Sequence, residues 1–143
     1  MIQRVEFAHT DMAGIVHFSN FFRYMENAEH AFFRSLGLSI DTNLDGQEYG
    51  WPRVHATCDY MRPLRFEEEF EIHLRVQAKK PKSLSYEFVF RKTGEAAGTE
   101  VAHGSLTVVC VAVDAATGKM RAVTIPEAIA SRIETAPPEP EAA

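Results

Sequence analysis

Apolar and polar positions along the chain fall into three successive patterns. Residues 2–8 alternate, with Val5 and Phe7 on one side and Ile2, Arg4 and Glu6 on the other, which predicts a strand. From Asn20 to Leu36 the spacing becomes three and four. Phe21, Met25, Ala28, Phe32 and Leu36 form one stripe, and Arg23, Glu26, Asn27, His30 and Arg34 fill another. Phe22, Tyr24 and Phe33 widen the apolar surface, so this helix is expected to be covered on more than one side. Ser19 is its predicted N-cap, and Gly37-Leu38 predicts a left-handed C-cap with an apolar contact.

A polar excursion from Asp41 to Gly50 reads as loop or partly helical, and after Trp51-Pro52 the period becomes two. Val54, Ala56, Cys58 and Tyr60, then Phe70, Ile72, Leu74 and Val76, then Leu84, Tyr86, Phe88 and Phe90 each define one face of a strand. Glu100 to Asp114 is apolar on both sides, as for a central strand or one at a subunit interface. Lys119–Val123 predicts a further short strand, and Pro126 opens a closing helix through Ile133. The tail 135–143, rich in Pro, Glu and Ala, is expected to be disordered. One domain over 1–134 follows, of α+β class, with an antiparallel sheet curling round one long helix.

Composition narrows the function. A chain of 143 residues with 45% hydrophobic positions can bury a proper core. Its net charge of −5 argues against general nucleic-acid binding but leaves room for a local basic patch. No long uncharged apolar run predicts a membrane span, and Met1–Phe7 lacks the layout of a signal peptide. Cys58 and Cys110 form no CxxC pair and read as reduced thiols of a cytoplasmic protein.

The candidate chemistry lies in Asp11-Met12-Ala13-Gly14-Ile15-Val16-His17-Phe18-Ser19-Asn20-Phe21-Phe22, a carboxylate and a glycine turn set directly before the helix. A helix start leaves backbone N–H groups without intrahelical partners and carries the positive end of the macrodipole. Such donors can hold a carbonyl oxygen while negative charge builds on it, and a nearby carboxylate completes a minimal kit for acyl transfer. The plainer alternative for Asp11 is an Asx-turn that only shapes the loop. His9 and His17 read equally as hydrogen-bonded structural residues, and Lys79, Lys80 and Lys82 as a solvated hairpin guarding an edge. Glu26, Glu29 and His30 lack the spacing of a helical metal site, and no zinc motif occurs, so no metal is expected. Without a Gly-x-Ser-x-Gly elbow, or a motif beside either cysteine, a serine or cysteine hydrolase is disfavoured.

On Arg4-Val5-Glu6-Phe7, Asp11-x-Ala13-Gly14-Ile15-Val16, Asn20-Phe21-Phe22-Arg23-Tyr24 and Met61-Arg62-Pro63-Leu64-Arg65-Phe66-Glu67-Glu68, the chain resembles the hotdog-fold acyl-CoA thioesterases. The resemblance is to the branch with the 4-hydroxybenzoyl-CoA and Tol–Pal-associated thioesterases, and spans about residues 2–134. It implies a five- to six-stranded antiparallel sheet round the helix, a homodimer or homotetramer, and an acyl-CoA site between subunits. It implies no cofactor beyond the coenzyme A of the substrate. By position, Asp11 matches the family's catalytic aspartate, as nucleophile or general base, and the Phe18 backbone N–H its carbonyl donor. His17 is carried as a further catalytic candidate. Gly14, Phe21, Phe22 and Trp51 are candidates for the substrate wall. Lys79, Lys80 and Lys82, with Arg62 and Arg65, are candidates for the CoA phosphates. Two other readings stay open: a hotdog dehydratase or hydratase, since His17-Phe18 is similar to that branch's His-Phe but is followed by Ser19 rather than proline, and a non-catalytic acyl-CoA-binding protein.

Overall fold

The computed structural model describes residues 1–137. Strands β1 (Ile2–Arg4), β4 (Arg53–Tyr60), β5 (Glu69–Lys79), β6 (Ser83–Lys92) and β7 (Glu100–Val109) form an antiparallel sheet in the order β1-β5-β6-β7-β4. Helix α1 (Asn20–Ser35) lies on its inner face. A second, four-stranded sheet joins β2 (Thr42–Leu44), β3 (Gln47–Gly50), β8 (Val111–Val113) and β9 (Met120–Ala122), and a one-turn helix α2 (Glu127–Ala130) closes the described chain.

The core follows from the two periodicities. Phe21, Tyr24, Met25, Ala28 and Phe33 of α1 are buried against the inward residues of β5, β6 and β7, Phe70, Ile72, Phe88, Phe90 and Ala102 among them. Phe21 meets Phe90 edge to face at 5.4 Å, and Tyr24 meets Phe70 at 4.9 Å. Gly104 in β7 lets the helix sit close, because a Cβ there would lie 2.1 Å from Met25 Cε. The helix ends in a Schellman turn: Gly37 takes φ +75°, its N–H donates to Arg34 O, and Leu38 N–H donates to Phe33 O.

Several expectations need correction. The first strand stops at Arg4, because Phe7–His9 winds into a 3-10 turn in which Glu6 N–H donates to His9 Nδ1 at 3.0 Å. Phe7 is consequently exposed rather than inward. Residues 41–50 are neither helix nor loop alone. They contain the hairpin β2–β3, whose turn residues Asp45 (φ 52°) and Gly46 (φ +83°) are both left-handed, as a tight two-residue turn requires. The expected strand Glu100–Asp114 divides at Cys110, where the backbone N–H turns to Lys82 O and the chain passes into the second sheet. The closing helix is a single turn. Ser19 occupies the N-cap position of α1 without capping it, since its hydroxyl bonds His17 Nδ1 instead. Of the tail, Ala136 N–H donates to Val76 O on β5, and residues 138–143 lie outside the described residues.

Candidate active site

A short ribbon holds the loop before α1. Asp11 N–H donates to Ile15 O, His17 N–H to His9 O, and Val16 N–H to Leu64 O, tying the loop to itself and to the segment after β4. Within it, Asp11 Oδ1 accepts Ala13 N–H at 2.8 Å, and Gly14 N–H returns to Asp11 O with φ +78°, a conformation natural to glycine. One carboxylate oxygen therefore shapes an Asx-turn, as the plainer reading of Asp11 had it. The other, Oδ2, has no hydrogen-bond partner among the described residues.

Helix α1 begins tightly wound. Asn20, Phe21 and Phe22 donate to the carbonyls three residues back, at 2.9, 3.4 and 3.2 Å. Ser19 N–H is taken by His17 Nδ1 at 3.3 Å, whereas Phe18 N–H has no partner among the described residues. Asp11 and Phe18 line one cavity of about 480 Å³, together with Phe21, Tyr60, Arg62 and Leu64. Asp11 also borders a second hollow of about 530 Å³ beside Phe7, Met12, Gly14 and Phe66. Asp11 thus borders two hollows, and Phe18, whose amide has no partner among the described residues, borders one of them.

These features coincide with a family model: that of the thioesterase-like superfamily matches residues 5–133. The chain belongs to the thioesterase-like superfamily. The expected thioester hydrolase and hotdog fold are borne out at that level. A crystal structure of a hypothetical protein from Aquifex aeolicus is similar with TM-score 0.80 and 30% identity, covering 94% of this chain and 98% of that one. A gentisyl-coenzyme A thioesterase is similar with TM-score 0.77 and 30% identity, over 92% and 97%. A 1,4-dihydroxy-2-naphthoyl-CoA hydrolase of Synechococcus sp. (strain WH7803) is 28% identical over 142 residues, covering 94% of this chain and 87% of the relative.

The remaining candidates of this superfamily member are scattered. Phe21 is buried and lines the cavity, while Phe22 is half-buried against the core and is not among the lining residues. Trp51 lies in the core beside Phe33, at 5.5 Å edge to face, with its Nε1 donating to Thr42 Oγ1. The His17 ring stacks on Phe18 at 4.5 Å and bonds Ser19, so it braces the helix entry and is absent from the cavity wall. His9 Nδ1 sits 2.9 Å from the Tyr24 hydroxyl and accepts Glu6 N–H, while its carbonyl accepts the Asn20 amide; it fastens the loop to α1. Since His9 Nδ1 accepts Glu6 N–H, the Tyr24 hydroxyl donates to it, and burial pushes that phenol up to about 12.

Lys79 Nζ donates to Ala130 O and Ile133 O, holding the end of α2. Lys80 and Lys82 are exposed on the β5–β6 hairpin. Strand register puts that hairpin beyond the row Arg53–Val108–Leu84–Lys79, whereas the cavity adjoins the row Tyr60–Ala102–Phe90–Ile72. At about 3.4 Å per residue the two rows are roughly 20 Å apart along β7. Within one chain the lysines and Asp11 therefore lie at opposite ends of the sheet.

Two features escaped the reading of the sequence. Tyr60, at the end of β4, donates its hydroxyl to Phe18 O at 2.8 Å and lines the cavity. Partial desolvation and the neighbouring Cys58 thiol push its phenol up to about 12, although the residue is 45% exposed. Glu29, fully buried in α1, pairs with Arg53 Nη2 at 2.6 Å, and burial raises its carboxyl despite Arg53. Neither partnership leaves a local spacing signal, because the partners are 42 and 24 residues apart. Burial also pushes the thiols of Cys58 and Cys110 up to about 11, so both are poor nucleophiles near neutrality. Among the described residues, no group of three His, Cys, Asp or Glu could hold a metal ion, and no helix is long and apolar enough to cross a membrane.

Proposed function

We propose that this chain hydrolyses an acyl-CoA thioester to a free acid and CoA. The observation that carries the reading is the shared cavity of Asp11 and Phe18, each with an atom unengaged by protein: Asp11 Oδ2 and Phe18 N–H. A thioester oxygen set against the Phe18 amide would meet a donor prepared for the charge of the tetrahedral stage. Asp11 then acts on the carbonyl carbon as nucleophile, with water hydrolysing the acyl-enzyme anhydride, or takes a proton from water as general base. In either route the C–S bond breaks, and one water supplies the hydroxyl of the free acid and the proton with which CoA leaves as its thiol. No cofactor enters the balance. The two arms of a thioester diverge from its carbonyl, which suits a residue that borders two hollows.

An aromatic acyl group is the reading we favour. It is supported by relatives named for dihydroxynaphthoyl and gentisyl thioesters and by the rings of Phe18, Phe21 and Tyr60 around the cavity. The Asp11-x-x-Gly14-Ile15-Val16 segment before an aromatic helix supports the 4-hydroxybenzoyl-CoA and Tol–Pal-associated branch as the finer placement. We further propose a homo-oligomer acting in the cytoplasm, built on the edge strand β4. Antiparallel pairing of β4 with its copy would carry the Lys80–Lys82 hairpin of one chain toward the Asp11 cavity of the other, where Arg62 already stands. A thiol-release assay over aryl, short-chain and long-chain acyl-CoAs tests the proposal. Release fastest with aryl-CoA is expected. No release from any of them, or loss of an enoyl signal without free thiol, would overturn it.

A further inference from the structure

We propose that Tyr60 is a positioning residue: its hydroxyl, by holding the Phe18 carbonyl, fixes the first turn of α1 so that the Phe18 amide stays aimed at the substrate carbonyl. The inference rests on the thioesterase reading and adds a residue to it.

The first turn of α1 needs such a brace. Its capping position is empty of a side-chain cap, because Ser19 spends its hydroxyl on His17. The bond within the helical turn that the Phe18 carbonyl receives from Phe21 N–H is long, at 3.4 Å. The Tyr60 hydroxyl supplies the shorter bond to that carbonyl, 2.8 Å. The Tyr60 ring is itself set by Phe21, edge to face at 5.1 Å, and its backbone by pairing with Ala102 on β7. The chain of contacts runs from the rigid sheet through Tyr60 to a peptide unit whose neighbour carries the free N–H. Phe18 is otherwise loosely held: the residue is 63% exposed, and among the described residues its ring stacks only on His17. An unbraced turn would let the amide wander, and a donor contributes most when it needs no reorganisation as charge develops. The bond joins the helix entry to the edge strand 42 residues away, so the brace and the cavity wall are one element.

The test is Tyr60→Phe, which keeps the ring and its contact with Phe21 while removing the one hydroxyl. Wild type and variant are compared on the same aryl-CoA, for kcat and KM by thiol release. They are also compared for affinity toward two inert analogues: a thioether with methylene in place of the carbonyl, and a trifluoromethyl ketone whose hydrate imitates the tetrahedral stage. The expected result is kcat down about 10-fold with KM within about twofold, the ketone bound about 10-fold more weakly and the thioether unchanged. Tyr60→Leu, lacking ring and hydroxyl, is expected to weaken the thioether as well. A Tyr60→Phe enzyme with wild-type kcat and ketone affinity overturns the proposal, as does equal weakening of both analogues, which marks general loss of the pocket. Inactive wild type with every acyl-CoA would instead strike at the thioesterase reading, and the ketone arm would then show whether Tyr60 still braces an anion-like ligand.

Discussion

Arg53 reaches from the edge strand to the buried Glu29 carboxylate, and Glu26 lies on the same guanidinium at 3.4 Å. The remaining Glu29 oxygen and the Tyr86 hydroxyl are buried and have no hydrogen-bond partner in good geometry among the described residues, though the two groups act on each other's titration. Removing the cation leaves an uncompensated charge, so Arg53→Ala is expected to cost about 3–5 kcal/mol in urea unfolding. Adding Glu29→Gln should recover much of that loss. The pH dependence has a definite sign. Burial already raises the folded Glu29 carboxyl above its ordinary value, and loss of Arg53 raises it further. A group so raised is stabilising below its unfolded pKa and loses that contribution as pH rises through the folded one. The deficit of Arg53→Ala should therefore be larger at pH 8 than at pH 5; equal deficits would contradict the account. Residues whose partners are near in sequence were legible: Asp11, Ala13 and Gly14 form their turn within four positions. Lys79 was not, because the carbonyls it holds belong to a helical turn 51 and 54 residues later.

Helix α1 is the element whose pattern and structure agree most closely. Phe21, Met25 and Ala28 of its expected stripe are buried, whereas Phe32 and Leu36 are half-buried and Tyr24, Glu29 and Phe33 are buried beside them; Gly37 carries the left-handed step of the Schellman turn. Gly37→Ala is expected to lower stability by about 1 kcal/mol, read as a shift in the urea midpoint with unchanged slope. An unmoved midpoint would mean the turn is not held as described. The β2–β3 hairpin carried a signal too, in Asp45-Gly46, but its flanks are polar and lack the alternation that marks a half-buried strand. The break at Cys110 left no mark for a different reason. Residues on both sides of it are apolar because β7 and β8 are both buried, and a change of sheet does not alter burial. Hydrophobic pattern reports what is covered, not which strand covers it.

At the scale of the molecule, β4 is the unsatisfied edge. Ala56, Cys58 and Tyr60 stand opposite the inward residues Leu106, Gly104 and Ala102, yet Ala56 and Tyr60 are exposed and Val54 beside them is 61% exposed. An eight-residue strand open along one side is a template for pairing with a second copy. Light scattering is expected to give about twice the 16.1 kDa of the chain or a higher even multiple. Ala56→Lys is expected to shift the protein toward monomer and to reduce thiol release with it, because each site would lose the other copy's hairpin. A fully active monomer would contradict a shared site. That arrangement was legible only in part from sequence: the basic hairpin and the acidic loop were both visible, but their separation along the sheet appears only with the register.

The most direct measurement is single-turnover thiol release by Asp11→Asn on the best aryl-CoA substrate. The amide keeps the oxygen that accepts Ala13 N–H, so the loop and ligand binding should survive. A fall in rate of about 100-fold or more, with thioether-analogue affinity unchanged, is the expected result. A rate within about threefold of wild type would contradict the central claim that Asp11 and the Phe18 amide act together on one carbonyl.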